Sequence, residues 1–346
     1  MRKKYLDQFG FHSTDNRKSK IQNLKCVLVL AILTLSVVHL AEAQQAKKVP
    51  RIGLLGLGSG VARQEEEFLG GLRDLGYVEG QNIIIEYRWA GGKVDRLPAL
   101  AEELIRLKVD VIVVRATPVV QAAKNATKTI PIVMMGAADP VGSGFVASLA
   151  RPGGNITGMS SMMPELAEKR LGLLRELVPK LSRVAFLAYG PDPAHKLFVK
   201  EAQEAAERFG IKFQPLVIAA SEEIETAFSA MIKERAGALM IQQLFINNLG
   251  QGKRIAELAV KNRLPTVSDG APFAEEGGLM FYGPDQKAQR RRAAVYVDKI
   301  LKGANPAELP VEQPMKFEFI INLKTAKQIG LTIPQSVLFR ADKVIK

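Results

Sequence analysis

The chain repeats one pattern from residue 51 onward: a short apolar run, then an amphipathic stretch, then another apolar run. Apolar runs of roughly four to eight residues bounded by turn residues read as buried strands, and i, i+3, i+4 spacing reads as helix. Arg51 to Gly56 is such a strand, ending in glycines. Phe68, Leu72 and Leu75 mark a helix over 64–75 that Gly76 closes. Strands follow at 82–88, 109–114 and 131–135, with helices at 95–107 and 118–126 between them. A second series has helices over 165–177, 195–209, 222–234 and 251–262 and strands over 183–189, 212–218, 238–242 and 265–268. Strands alternating with helices build parallel sheets covered on both faces. The expected fold is therefore α/β, with two doubly wound parallel-sheet lobes.

Between the two series lies Ala150 to Ser161, crowded with Gly, Pro, Asn and Ser, which is the composition of a loop or hinge. After them come a strand at 279–282, a helix at 286–302 and a strand at 316–322. These remnants must join the existing sheets. The first lobe is expected to hold 50–160 plus about 279–310, and the second 161–278 plus about 311–346. Such a chain crosses between lobes more than once, which makes a multi-strand hinge suited to closing on a ligand.

The N-terminus reads differently. Residues 27–40, VLVLAILTLSVVHL, are apolar; Arg17, Lys18, Lys20 and Lys25 precede them and Ala41-Glu42-Ala43 follows. A basic segment, a short apolar core and an A-x-A exit make a secretory signal peptide over 1–43, hence a periplasmic location. The apolar run falls short of the roughly 20 residues that span a bilayer. Cys26, the single cysteine, and two of the three histidines, His12 and His39, lie in this segment. The remainder has no thiol and one histidine, His195, which excludes disulfides and His- or Cys-based metal sites. The 48 basic and 35 acidic residues include seven and three in the segment, so the remainder carries net +9. That charge is scattered except at Arg290-Arg291-Arg292, which reads as a solvated helix face rather than a nucleic-acid patch.

In open α/β sheets ligands bind beyond the carboxyl ends of the strands. The first strand leads into Gly56-Leu57-Gly58-Ser59-Gly60, too loose a match to GxGxxG for a dinucleotide. Gly58 and Ser59 instead let a small ligand approach the backbone. Arg115-Ala116-Thr117-Pro118 follows the 109–114 strand: Thr117 reads as an N-cap with Pro118 at N1, or as a carboxylate holder, and Arg115 as a partner for an acidic ligand or a rim salt bridge. Asp139 before Pro140 either meets a ligand ammonium or caps its own turn. Thr157, Ser160 and Ser161 sit in the first crossover, while Gln242, Gln243 and Asp269 reach the rim from the second lobe. Asp139 and Asp269 facing each other would suggest acid/base chemistry, but no nucleophile, metal cluster or phosphate loop accompanies them, so the chain is not read as an enzyme and no cofactor is expected.

The string from Asp139 to Gly158, DPVGSGFVASLARPGGNITG, together with Gly71 to Gly80, Thr129 to Ile132, Gly277 to Met280, Asn322 to Lys327 and Gly330 to Pro334, resembles the ABC-transporter substrate-binding proteins of the tryptophan/tyrosine-type group. The resemblance runs in order over residues 50–346. It implies a type I periplasmic-binding-protein fold, capture of a small solute between two lobes, and delivery to an ABC permease in the inner membrane. It implies that Ala116-Thr117, Asp139 and Asn155 to Gly158 border the cleft. Arg115 replaces a usually small residue, and Gln242-Gln243 stand where Asp and Pro are common. Both departures touch the pocket and argue against an aromatic amino acid. The expected protein is a monomeric solute receptor for an amino acid or related small acid, with no nucleic-acid partner. A sensory module for a signalling partner and an enzyme on the same scaffold are the alternatives.

Overall fold

The computed structural model describes residues 48–60 and 65–346 and contains two separate sheets. The signal segment expected over 1–43 lies outside the described residues. The first sheet has five parallel strands: β1 (Arg51–Gly56), β2 (Ile84–Trp89), β3 (Val111–Val114), β4 (Ile132–Ala137) and β5 (Ile156–Ser160), in the order β2-β1-β3-β4-β5. Successive residues of its central strands face opposite ways, the period-2 rule of a sheet buried on both sides. Ile52, Leu54, Val111, Val113, Val133 and Met135 pack under α1 (Glu66–Asp74) and a long helix described below. Leu55, Ile112, Val114, Ile132 and Met134 pack under α2 (Leu97–Arg106) and α3 (Thr117–Ala126).

The second sheet has seven strands: β6 (Arg183–Tyr189), β7 (Lys212–Ile218), β8 (Ala238–Ile241), β9 (Thr266–Ser268), β10 (Met280–Pro284), β11 (Phe317–Asn322) and β12 (Lys343–Ile345), in the order β12-β11-β10-β9-β8-β6-β7. Its helices are α4 (Ala167–Leu177), α5 (His195–Arg208), α6 (Ile224–Lys233), the short α7 (Leu244–Asn247) and α8 (Gly252–Lys261). β11 pairs antiparallel with β10 and parallel with β12, so β10–β11 is the one antiparallel pairing in the sheet and the last two strands run opposite to the other five. β7 carries Pro215 at the sheet edge, where a missing N–H costs no ladder bond.

Two sequence expectations change here. Residues 156–160, expected as loop, form the fully buried strand β5. Gly158 (φ +121°) is what lets it pair with β4, since a Cβ there would lie 2.3 Å from the Met134 carbonyl oxygen. Its outer edge is covered by residues 309–312: Thr157 Oγ1 donates to the Leu309 carbonyl at 2.6 Å, and the Glu312 N–H donates to the Gly158 carbonyl at 2.9 Å. A small, polar strand is stable because those groups are satisfied. The strand at 280–284 joins the second sheet, not the first lobe, because it pairs with β9 and β11. The helix after it, α9 (Gln286–Leu301), crosses back and packs on α1, β4 and β5 through Ala293, Ala294, Tyr296 and Val297.

The chain therefore passes between the sheets three times: after β5, between β10 and α9, and between residue 312 and β11. The tail completes the second sheet with α10 (Leu323–Gln328), α11 (Gln335–Leu338) and β12. Three closely spaced crossovers are the hinge geometry of a two-lobed binding protein.

Candidate functional site

Where the carboxyl ends of the two sheets meet, residues from both enclose a cavity of about 20 Å³. Arg115 and Ala116 follow β3, Met135 and Gly136 end β4, Ser161 and Met163 follow β5, Gln243 and Asn248 follow β8, and Gln286, Gln289 and Arg290 come from the first turns of α9. Every wall of the cavity is thus a strand's carboxyl end or the segment that leaves it.

The first sheet reaches the cavity through strained backbone. Ala116 has φ +72°, a left-handed conformation uncommon for a residue with a Cβ. It, not Thr117, is the N-cap of α3, so the helix starts one residue earlier than its sequence suggests and Thr117 is already helical. The Thr117 hydroxyl accepts the Ala138 N–H at 3.4 Å, tying α3 to the turn after β4. Gly56 is required by packing, since a Cβ there would lie 2.0 Å from the Trp89 ring. Strain held at a cleft by surrounding packing is typical of preorganised sites.

The two lobes touch across the cleft. Arg115 Nη2 lies 3.4 Å from the Asn247 carbonyl oxygen and 3.7 Å from Glu65 Oε1. Gly58 stands opposite Asn248, whose carbonyl oxygen would be 3.6 Å from a Cβ on Gly58, and Gly92 stands opposite Leu249. One apolar cluster runs from Leu55 and Val114 in the first lobe to Leu187, Ile241 and Phe245 in the second. The lobes are closed on one another.

The second lobe also holds two buried carboxylates, neither of which lines the cavity. Asp192 accepts from the Ala194 N–H and from Gln242 Nε2 at 2.6 Å, and Gln242 Oε1 accepts the Tyr189 N–H at 2.8 Å. Burial pushes Asp192 up to about 6 although those donors favour its anion. Asp269 lies 3.9 Å from Arg170, which donates to the Met163 and Tyr282 carbonyls. Burial raises Asp269 to about 6 against the pull of Arg170 and of the Gln243 N–H, and burial likewise lowers Arg170.

Among the residues singled out in the sequence, Arg115 and Ala116 line the cavity and Gly58 stands at the closed lobe contact. Ser59 is exposed, two residues before the undescribed stretch 61–64. Thr157 is turned to Leu309, and the Ser160 carbonyl accepts from Gln289 Nε2 at 2.8 Å; its neighbour Ser161 is the one at the cavity. Gln242 lies beneath the surface while Gln243 reaches it. Asp139 and Asp269 do not face each other. Asp139 accepts the Gly142 N–H at 2.8 Å and closes its own turn, and Asp269 pairs with Arg170.

The arginine triplet is a solvated face only in part: Arg291 and Arg292 are exposed, while Arg290 is buried. Successive helical residues are about 100° apart, so the three point three ways. Arg290 is buried at the cavity with Nη2 3.0 Å from Gln286 Oε1. Arg291 bridges Glu67 and Asp74 on α1, and Arg292 grips both oxygens of Glu312. Gln286, Gln289 and Arg290 stand at i, i+3 and i+4, on the stripe that continues into apolar Ala293 and Val297. A polar start to an otherwise buried stripe, directly after a strand, was the available signal for a site. No group of His, Cys, Asp and Glu among the described residues is arranged to hold a metal ion.

Known proteins match this arrangement. The family described as ABC transporter substrate binding protein matches residues 58–345. The chain belongs to that family. Its members bind substrates rather than transform them, so the chain is a substrate-binding protein and not an enzyme. It is 28% identical over 290 residues to a tyrosine-binding protein of Clostridioides difficile (strain R20291), covering 83% of this chain and 82% of that one. A conserved domain protein from Vibrio cholerae O1 biovar El Tor superimposes with a TM-score of 0.80 at 27% identity, covering 86% of this chain and all of the other. A Streptococcus protein crystallised with L-Trp superimposes with a TM-score of 0.79 at 27% identity, covering 86% and 99%. No helix among the described residues of this substrate-binding protein is long and apolar enough to cross a membrane.

Proposed function

We propose that this protein is the periplasmic receptor of an ABC importer, capturing one small solute between its lobes and presenting the closed form to a permease in the inner membrane. The observation that carries the reading is the cavity walled by strand ends of both sheets and by the α9 crossover. A ligand touching both lobes binds the closed state better than the open one, which shifts a two-state hinge. Closure also excludes water, which strengthens polar contacts. The named ligands of the relatives, tyrosine and L-Trp, support trying amino acids and related small acids first. The apolar run 27–40 with its A-x-A exit supports export.

Mass spectrometry of small molecules released from purified, denatured protein tests this reading, followed by calorimetry with the molecule found. The expected result is one solute bound per chain and recovered chemically unchanged, and loss of its uptake in cells lacking the gene. Conversion of that solute, or unaltered uptake without the gene, would overturn it.

A further inference from the structure

On that reading of the cleft, we infer that the solute is a small organic anion whose carboxylate is held by Arg115 and Arg290 together, rather than a net-neutral aromatic amino acid. The geometry begins with Arg290. It is 6% exposed, lines the cavity, and donates to the neutral Gln286 amide at 3.0 Å. No carboxylate among the described residues lies within ion-pair distance of it, although buried arginines are ordinarily paired. Arg115 lines the same cavity, with Glu65 at 3.7 Å. The acids nearby are otherwise engaged: Glu67 and Asp74 hold Arg291, Asp285 caps α9, and Asp269 faces Arg170. Among the described residues, Arg290 thus stands beside Arg115 in a water-poor space without a carboxylate of its own. Burial and the charge of Arg115 lower the Arg290 pKa to about 9.

A second observation points the same way. The Ser161 hydroxyl is 2% exposed, lines the cavity, and has no hydrogen-bond partner among the described residues. Buried polar groups without partners are rare and mark an unfilled contact. A carboxylate between the arginines can accept from both guanidinium forks and from this hydroxyl. Among the described residues, the lining also lacks any aromatic side chain.

The test is calorimetry and thermal shift on the full-length purified protein with succinate, malate, aspartate and glutamate in one arm and tyrosine and tryptophan in the other. The variants are Arg290→Met and Arg290→Lys, alongside identification of any molecule released from the wild type. The expected result is saturable binding of an anion, weakened at least tenfold by Arg290→Met and less by Arg290→Lys. The ligand-free Arg290→Met protein should melt no lower than wild type, because an apolar side chain replaces a buried charge without an acidic partner. That combination separates ligand contact from a structural role. Tight binding of tyrosine or tryptophan with none of the acids, a released ligand without net negative charge, or an anion that binds Arg290→Met as well as wild type would each overturn the inference and leave the receptor reading in place. No binding in either arm with nothing released would remove both.

Discussion

Gln242 offers a sharp test of how the second lobe is held beneath the cleft. Its amide is oriented by two buried partners: Oε1 accepts the Tyr189 N–H at 2.8 Å and Nε2 donates to Asp192 at 2.6 Å. Gln242→Leu keeps the size of the side chain and removes both contacts. The orphaned N–H costs about 1–3 kcal/mol, and loss of a hydrogen bond to a charged group costs about 1.5–3 kcal/mol. At pH 7.5, where Asp192 is ionised, the expected destabilisation is roughly 3–5 kcal/mol. The second part depends on charge. The folded pKa of Asp192 stands at about 6, and losing a donor to its anion raises it further. At pH 5 the group is mostly protonated, so the cost should fall to roughly 1–3 kcal/mol. Urea unfolding of wild type and variant at the two pH values measures both numbers. A difference below about 1 kcal/mol, or one equal at pH 7.5 and pH 5, would refute the hydrogen-bond accounting.

Other expectations follow from the same geometry. Asp192 and Asp269 both have folded pKa values of about 6 against an ordinary 3.8, so the folded state holds their protons more tightly and their contribution to stability is lost as pH rises from about 4 to about 6. Lowering pH from 7.5 to 5 should raise wild-type unfolding free energy by on the order of 1.4 kcal/mol for each, which urea midpoints would reveal; a fall in midpoint would contradict it. Gly158→Ala should destabilise by about 3 kcal/mol or more, since its Cβ meets the Met134 backbone and its φ is left-handed, and a melting temperature within 2 °C of wild type, on the order of 1 kcal/mol or less, would contradict that. Asp139→Ala should cost on the order of 1 kcal/mol through its Gly142 contact and leave solute affinity unchanged, because the carboxylate closes a turn; a tenfold affinity loss by calorimetry would return it to the site.

The alternation of apolar runs and amphipathic stretches was enough to place most strands and helices, because each element is buried on faces set by its own period. It also pointed to the carboxyl ends of the strands, and so to Arg115 and Ala116. Signals that depend on contacts between distant segments were not legible. Residues 156–160 look like a loop because they are small and polar, yet they form a buried strand once 309–312 covers their edge. Residues 280–284 carry no local mark of which sheet they enter.

Side-chain direction was harder still. Gln242 and Gln243 are adjacent and chemically identical, yet one secures the Tyr189 backbone and the other reaches the cavity. Arg290, Arg291 and Arg292 differ only in their angle around one helix, which sends one into the cleft and two to carboxylates on other segments. Periodicity along the chain determined the elements and the two-lobed plan. Which polar side chains converge on the cavity was decided only by the rotation of α9 against α1 and by closure of the lobes, because those are set by packing between segments far apart in the sequence.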